Sequence, residues 1–538
     1  MGECMKIYYL YNENIRDSLN QRGYDYTPAY IEALLLYMGI CAEKISSDKL
    51  SCLEKDDILI VGAERIDKIP DCKTVLLGSF VGKDAHASER REKIFANYIL
   101  GDEKLPLFVP INKQSICGEV IAFAECENEK VPALIKGDGI YEFTFDLAGS
   151  VWFSGDGFVS ESPSDYFFIG RTPDTRPIKS HSATIPYNDM LLSVLEDILS
   201  SFGAFSIFKL PPCKDGSAPD LVINFSGDDD CTSKDFNLEA ALTMEEYGFP
   251  YHINAMPLEG DFFIMDKSEF DEIRSHGCEF ALHTDFTGKV LYSEESQRAQ
   301  AELFEKTFGV YPYTNTNHCF IQGGSTAERM RRLSACKILA DNGKMGEFDP
   351  TDINRFDLCG FTFGSSYPRF TCDDHEHKNT LIKSLEIPVN YYEPRLYHED
   401  SDTSKVVKYI ENGAENARIS QFFIHPHYLA LSSSDRPAVL RVLDLIGKTI
   451  SEKGYSCLYS TTDKITKFWF DRASSSIEQI GNSLNVILSD DMLIVLPKSI
   501  SSDNLLIDGK KTKVIKKLIC GKEIRLIHVS FGNHVITF

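Results

Sequence analysis

At 538 residues, with 43% hydrophobic and 25% charged side chains, the chain exceeds the ~250–300 residues over which one core keeps growing, so several domains are expected. A formal charge of −24 would repel phosphate backbones and anionic lipid, which sets nucleic acid aside as a partner. No stretch reaches the ~20 apolar residues of a membrane span and the start, MGECMKIYYLYNENIRDSLN, lacks the features of a secretion signal, so a cytoplasmic protein without membrane insertion is expected.

Residues 5 to 100 alternate apolar runs with helical patterns: KIYYLY, TPAYIEALLLYMGI, DILIVGA and TVLLGSF. That alternation predicts a small α/β domain with a parallel sheet over 1–100. It carries no Gly-x-Gly-x-x-Gly and no phosphate loop, and the lone glycine of LLGSF reads as a turn. Over 101–203 the pattern turns strand-like, in LPLFVPI, EVIAFAEC, VPALIKG, IYEFTFDLAGSVWFSG and DYFFIGR, and closes on IPYNDMLLSVLEDILSSF at helical spacing. A mainly β module with a connecting helix is expected there.

From 204 to 473 apolar strands and amphipathic helices alternate with the rhythm of an α/β barrel. The last segment, 474–538, holds short strands (NVILSDD, MLIVLP, NLLIDG, EIRLIHVSF, HVITF) and predicts a small β-sandwich. Fifteen cysteines without a Cys-x-x-Cys pair fit neither a disulfide framework nor a zinc ribbon, so they read as reduced thiols.

The residues that could carry chemistry lie in the barrel segment. LVINFSGDDD runs an apolar strand straight into Asp228, Asp229 and Asp230, and like charges so close together hold apart in pKa unless a cation binds them. CEFALHTDFTG ends a second strand in His283, Thr284 and Asp285. YPYTNTNHCF offers Asn317, His318 and Cys319, and ISQFFIHPHYLAL ends in His425, Pro426 and His427, with the proline stiffening the turn that holds His425. Catalytic groups in barrels sit at the C-terminal ends of strands, which is where all four sets fall. DDHEHKN, residues 373–379, gathers two more histidines among carboxylates but reads as a solvated loop.

Over 221–473 the chain resembles the polysaccharide deacetylase (NodB-homology, carbohydrate esterase family 4) family. LVINFSGDDD is similar to its opening strand, FPYHINAMP to the second, GCEFALHTDF to its Gly-x-Glu-x-x-x-His-Ser/Thr motif, FFIHPHY to its closing His-Pro element, and STTDKITKFWFDR to its last helix. The resemblance implies a multidomain α/β protein with a central distorted (β/α) barrel. It also implies a metal-dependent amide hydrolase that removes an N-acyl group, in the first place acetyl, from an amino sugar or glycan precursor. The metal implied is divalent, Zn2+ in the first place, with Co2+ or Ni2+ as alternatives.

Carried over residue by residue, the resemblance makes Asp228 the general base and His425 the acid. The metal aspartate is Asp229 or Asp230 depending on alignment, and His283 is the first metal histidine. Where the family has a second histidine this chain has Thr287, so His318 or Asp285 completes the shell or the site is altered. TNTNHC stands where the family has an arginine. Asp285, Asn317, Pro426 and His427 are expected on the substrate side. Two other readings stay open: a catalytically inactive barrel that binds carbohydrate, and a glycoside hydrolase pairing Asp228 or Asp230 with Glu279 or Glu386.

Overall fold

The computed structural model describes residues 4–82, 96–126, 129–156, 158–159, 175–176, 185–230, 232–286, 290, 292–320, 325–345, 358–361, 364–501 and 504–538. The run DYFFIGR and Thr287 lie outside them.

The N-terminal strands Ile7–Leu10, Ile58–Val61 and Lys73–Leu77 pair in parallel, with Glu43–Ile45 at the edge. All four residues of Ile58–Val61 are buried, as expected for a parallel strand covered on both faces. Ile140–Phe143 then pairs parallel to Lys73–Leu77 and leads outward into four antiparallel strands, Glu129–Lys136, Glu119–Cys126, Ala96–Leu100 and Glu103–Leu107. The segments on either side of residue 100 therefore share one nine-stranded sheet.

One strand-like run is corrected. Within IYEFTFDLAGSVWFSG only Ile140–Phe143 is a strand, and Leu147–Asp156 is a helix. Asp146 Oδ1 accepts from the Gly149 N–H at 2.9 Å at its start, and Leu147, Ala148, Val151 and Trp152 are all buried. A short, uniformly apolar run carries no period by which helix and strand could be told apart.

The central region is a curled parallel sheet. Leu221–Asp228, Tyr251–Ala255, Glu279–Thr284, Thr314–Asn317 and Ala340–Met345 pair in chain order, each parallel to the last. Leu381–Val389 adds beside Ala340–Met345, and two residues later the same chain, as Tyr391–Tyr392, pairs with Ile419–Phe423, which returns to Leu221–Asp228. One continuous run, 381–392, thus links the two ends of the sheet, which curls into a half-barrel.

Side chains alternate across a strand, and here the inner face is polar. Asn224, Ser226, His252, Asn254, His283, Thr316, Asn342 and Gln421 are all buried. Ser226 Oγ donates to Asn342 Oδ1 at 3.1 Å, and Gln421 Nε2 donates to both at 3.1 and 2.8 Å. The apolar face, with Leu221, Ile223, Phe225, Ile253 and Leu282, packs against the surrounding helices. An interior normally filled by branched apolar residues is replaced by a hydrogen-bonded polar column that ends at the strands' C-termini.

At the C-terminus Ser476–Ile480, Ser483–Leu488 and Gly532–Thr537 form one antiparallel sheet, joined at its edge by Cys4–Met5. Met492–Val495, Lys522–Val529 and Ile515–Ile519 form another, joined by Ser206–Ile207. The last barrel helix, Thr462–Ser474, ties these parts together through Arg472, whose buried guanidinium donates to the carbonyls of Leu36, Tyr37, Ile207 and Phe208. Asp189 forms a second tie: it accepts from Tyr37 Oη at 2.7 Å, from the Ser366 N–H at 2.8 Å and from Arg418 Nη1 at 2.9 Å. No described helix is long and apolar enough to cross a membrane.

Candidate active site

Parallel pairing puts every strand's C-terminus at one mouth of the barrel, so residues far apart in sequence meet there. His283 Nδ1–H donates to the Thr316 carbonyl of the next strand at 3.0 Å, which fixes the ring and turns Nε2 inward. Nε2 lies 3.3 Å from Asp228 Oδ2 and 3.3 Å from Asp230 Oδ1. His318 Nε2 approaches the same Asp230 Oδ1 at 3.7 Å, and His425 Nε2 lies 3.5 Å from Asp230 Oδ2. Asp230, His283 and His318 offer three ligand atoms within 4.8 Å of one another, and so do Asp228, Asp230 and His425.

Of the two candidate metal aspartates, the geometry favours Asp230 and draws Asp229 away. Asp229 Oδ1 accepts from the Met256 N–H at 2.9 Å and Oδ2 from Asn237 Nδ2 at 3.4 Å. It holds the turn after the first strand, and it belongs to none of the ligand clusters among the described residues. Asp230 takes φ 47°, a left-handed conformation that costs a non-glycine residue on the order of 1 kcal/mol or more and recurs at functional sites. Cys319, beside His318, and Glu393 share that feature, at φ 57° and 48°.

The open question left by Thr287 has a candidate answer in His318. Its strand, Thr314–Asn317, lies beside Glu279–Thr284 with His283 opposite Thr316, so the residue that follows the strand reaches the cluster from a neighbouring element. Asp285 is not in that cluster; its Oδ1 lies 3.6 Å from His318 Nδ1, where it can orient the ring from behind. Burial alone would lower the His318 pKa, but Asp285 and Cys319 raise it to about 10. Asn317 is buried and accepts from Asn315 Nδ2 at 2.9 Å.

His425 sits across the mouth. It precedes Pro426, the first residue of the short helix Pro426–Leu429. A residue before proline is pushed out of the helical region, and His425 is extended, φ −66° and ψ 141°. His427 rests against it, ring centroids 5.3 Å apart. Burial and the neighbouring His425 charge push the His427 pKa down.

The reading from sequence missed Glu393. Its Oε1 lies 2.9 Å from His425 Nδ1 and it is buried. Burial would depress the His425 pKa, yet the pairing with Glu393 and the charge of Asp230 raise it to about 9. The signal was an acidic residue directly after an apolar strand end and before a proline, in NYYEP. For Asp228 burial is the largest effect and raises the pKa, opposed by the His283 charge. Burial would raise Asp230 too, but His283, His425 and His318 together pull its carboxyl below the ordinary range.

The residues present fit a divalent cation. With Nδ1 committed to the Thr316 carbonyl, His283 turns Nε2 toward two carboxylate oxygens. Nε2 is buried, and a divalent cation among the three groups would offset the two carboxylate charges held together there. One carboxylate and two imidazoles are a donor set that suits zinc.

The other histidine–carboxylate groups are already provided for. His252, Glu279 and Asp463 lie at the N-terminal end of the strands, where Thr314 Oγ1 donates to Asp463 at 2.8 Å, Thr461 bonds Glu279, and Lys464 pairs with Glu279 at 3.4 Å. They latch the last helix to the barrel. Burial lowers His252 to about 4 and raises Asp463 to about 7. In the 373–379 loop Arg331 pairs with Asp373 and Asp374 and supplies the positive charge. Glu386 is held between Arg329 and Arg369 at 2.7 and 2.6 Å, and Glu279 is at the wrong end of its strand, so neither glutamate is placed to serve as the second carboxylate of a glycosidase.

No family model and no curated protein matches the sequence. Solved structures do resemble it, over about half of the chain. They are polysaccharide deacetylases and family 4 carbohydrate esterases. A protein from Mycobacterium smegmatis described as a polysaccharide deacetylase is 13% identical, covers 49% of this chain and 95% of its own, and has a TM-score of 0.34. The chitin deacetylase of Colletotrichum lindemuthianum is 11% identical, covers 48% and 90%, and has a TM-score of 0.26. The family 4 acetyl xylan esterase of Clostridium thermocellum, in complex with a cobalt ion, is 10% identical, covers 46% and 91%, and has a TM-score of 0.26. Scores of this size carry no argument about chemistry, which rests on the site itself.

Proposed function

We propose that this protein is a metal-dependent amide hydrolase that removes an N-acyl group, in the first place acetyl, from an amino sugar or glycan precursor. The observation that carries the reading is the convergence of Asp230, His283 and His318 within 4.8 Å, with Asp228 and His425 both against Asp230 or its ligand partner. Asp230, His283 and His318 would hold the divalent ion, Zn2+ in the first place with Co2+ or Ni2+ as alternatives. Such an ion, when bound, lowers the pKa of water and polarises an acyl oxygen.

Asp228 turns Oδ2 into the cluster and is the group placed to accept the proton of the attacking water. His425, its Nδ1 braced by Glu393 at 2.9 Å, carries its mobile proton on Nε2, which faces the cluster. An amine leaves only once protonated, so a histidine whose pKa Glu393 raises against the lowering effect of burial suits an amide better than an ester, whose alkoxide leaves more readily. A positioned acid or base contributes about 10²–10⁴-fold to rate. Asn317, Pro426 and His427 border the same mouth and would meet the sugar, while Asp285 supports His318.

The sugar portion of the substrate rests on the resemblance of 221–473 to the deacetylase family. It is tested by following acetate release from N-acetylglucosamine and from short N-acetylated oligosaccharides, with and without chelator. Chelator-sensitive release supports the reading. Zinc-loaded protein that releases no acetate from any of them would overturn it.

A further inference from the structure

Asp228 and Asn254 are direct partners across the first two barrel strands. Asn254 is wholly buried, and its Nδ2 donates to Asp228 Oδ1 at 2.7 Å. The same residue's carbonyl accepts from the Asp229 N–H at 3.0 Å. Asn254 therefore grips the end of the first strand twice, by backbone at Asp229 and by side chain at Asp228. Its own Oδ1 is buried without a partner, a loss that on general grounds costs about 1–3 kcal/mol and that an apolar residue would avoid. The amide cannot be turned over to relieve it, because its oxygen would then face the Asp228 carboxylate.

The consequence is geometric. With Oδ1 held by Asn254, the other oxygen, Oδ2, faces His283 Nε2 at 3.3 Å. Among the described residues no lysine or arginine pairs with Asp228, so the fixing is done by a neutral amide, which orients a carboxylate through one directed bond. Gly227, just before it, leaves no room for adjustment: an added Cβ would meet the Ile424 carbonyl at 1.8 Å.

We propose that Asn254 is a positioning residue for the base, which selects the Asp228 oxygen presented to the reacting water. The inference rests on the hydrolase reading above. A residue that only supported the fold would move stability and would act the same whether or not Asp228 were present; one that acts through Asp228 would not.

The test uses the zinc-loaded full chain with Asn254→Ala, Asp228→Ala and the double variant. Asn254→Ala is expected to lower kcat about 10- to 100-fold, the range seen when a supporting partner is removed, with KM and zinc content near those of the parent. In the Asp228→Ala background the same change is expected to alter the residual kcat less than about twofold. Unchanged kcat in Asn254→Ala, or the full loss repeated on top of Asp228→Ala, would overturn the proposal. If the parent protein shows no acetate release, the hydrolase reading fails. A crystal structure of Asn254→Ala still decides this proposal: a rotated Asp228 carboxylate supports it, and an unmoved one overturns it. Should the alanine variant fail to fold, Asn254→Leu, similar in shape and without a hydrogen-bond donor, replaces it in every arm.

Discussion

Glu393 Oε1 lies 2.9 Å from His425 Nδ1, and Arg395 holds the other oxygen of the same carboxylate at 3.1 Å. The carboxylate braces the imidazole from behind, and against the lowering effect of burial it and the Asp230 charge raise the His425 pKa to about 9 in the metal-free protein. In the proposed reaction His425 acts as an acid, so activity should fall on the alkaline side as that proton is lost, at a pH below about 9 once a bound cation offsets the Asp230 charge. Glu393→Gln removes part of what raises the pKa, so the fall should move to lower pH. It should also reduce kcat by about 10- to 100-fold, with KM changed less. A pH profile of kcat for both proteins checks the shift.

The two aspartates after the first strand should separate cleanly. Asp229→Ala leaves the Asp230–His283–His318 cluster untouched and should retain stoichiometric zinc while losing stability, since it removes the oxygen that accepts from the Met256 N–H. His318→Ala should weaken zinc affinity by more than the roughly 10- to 100-fold that loss of a supporting group costs. Competition with a fluorescent chelator reads both affinities, and thermal unfolding of the metal-free forms reads the stability.

Glu64 is buried with Oε2 unpartnered, and burial raises its pKa from 4.5 to about 7, against the lowering effect of Tyr26. The folded state therefore binds more protons than the unfolded state between about pH 4.5 and 7. The stabilising contribution present at low pH is lost as pH rises through that window. Glu64→Gln should match the parent near pH 4 and exceed it at pH 8 by up to about 3 kcal/mol. Urea unfolding at the two pH values measures the difference.

Asp189 joins Tyr37, Ser366 and Arg418 in one buried node. Asp189→Ala would strand the Arg418 charge away from water, a change that costs about 3–5 kcal/mol. It should lower the unfolding midpoint and loosen the contact between the N-terminal sheet and the barrel, read as faster proteolysis within the native protein.

The barrel strands were legible because apolar runs stop abruptly at polar clusters, as LVINFS does at Asp228. His283 and His425 could be read the same way. Asn254 and Glu393 could not, because their importance lies in which strand stands beside them: Asn254 matters only through its register with Asp228, and Glu393 only because 391–392 pairs with Ile419–Phe423. His318 was one of two candidates until strand pairing put Thr316 opposite His283. The joining of the segments on either side of residue 100 was equally hidden, since Ile140–Phe143 pairs with a strand more than sixty residues earlier. The helix Leu147–Asp156 was lost to a run too apolar to show a period.

The decisive measurement is the metal content of the purified protein by elemental analysis after loading with zinc, alongside His283→Ala and Asp230→Ala, with acetate release followed in each. One equivalent of zinc in the parent, its loss in both variants, and acetate release abolished by chelator are expected. A parent protein that takes up no zinc, cobalt or nickel, or variants that keep the metal and the activity, would contradict the assignment of Asp230, His283 and His318 as a catalytic metal site.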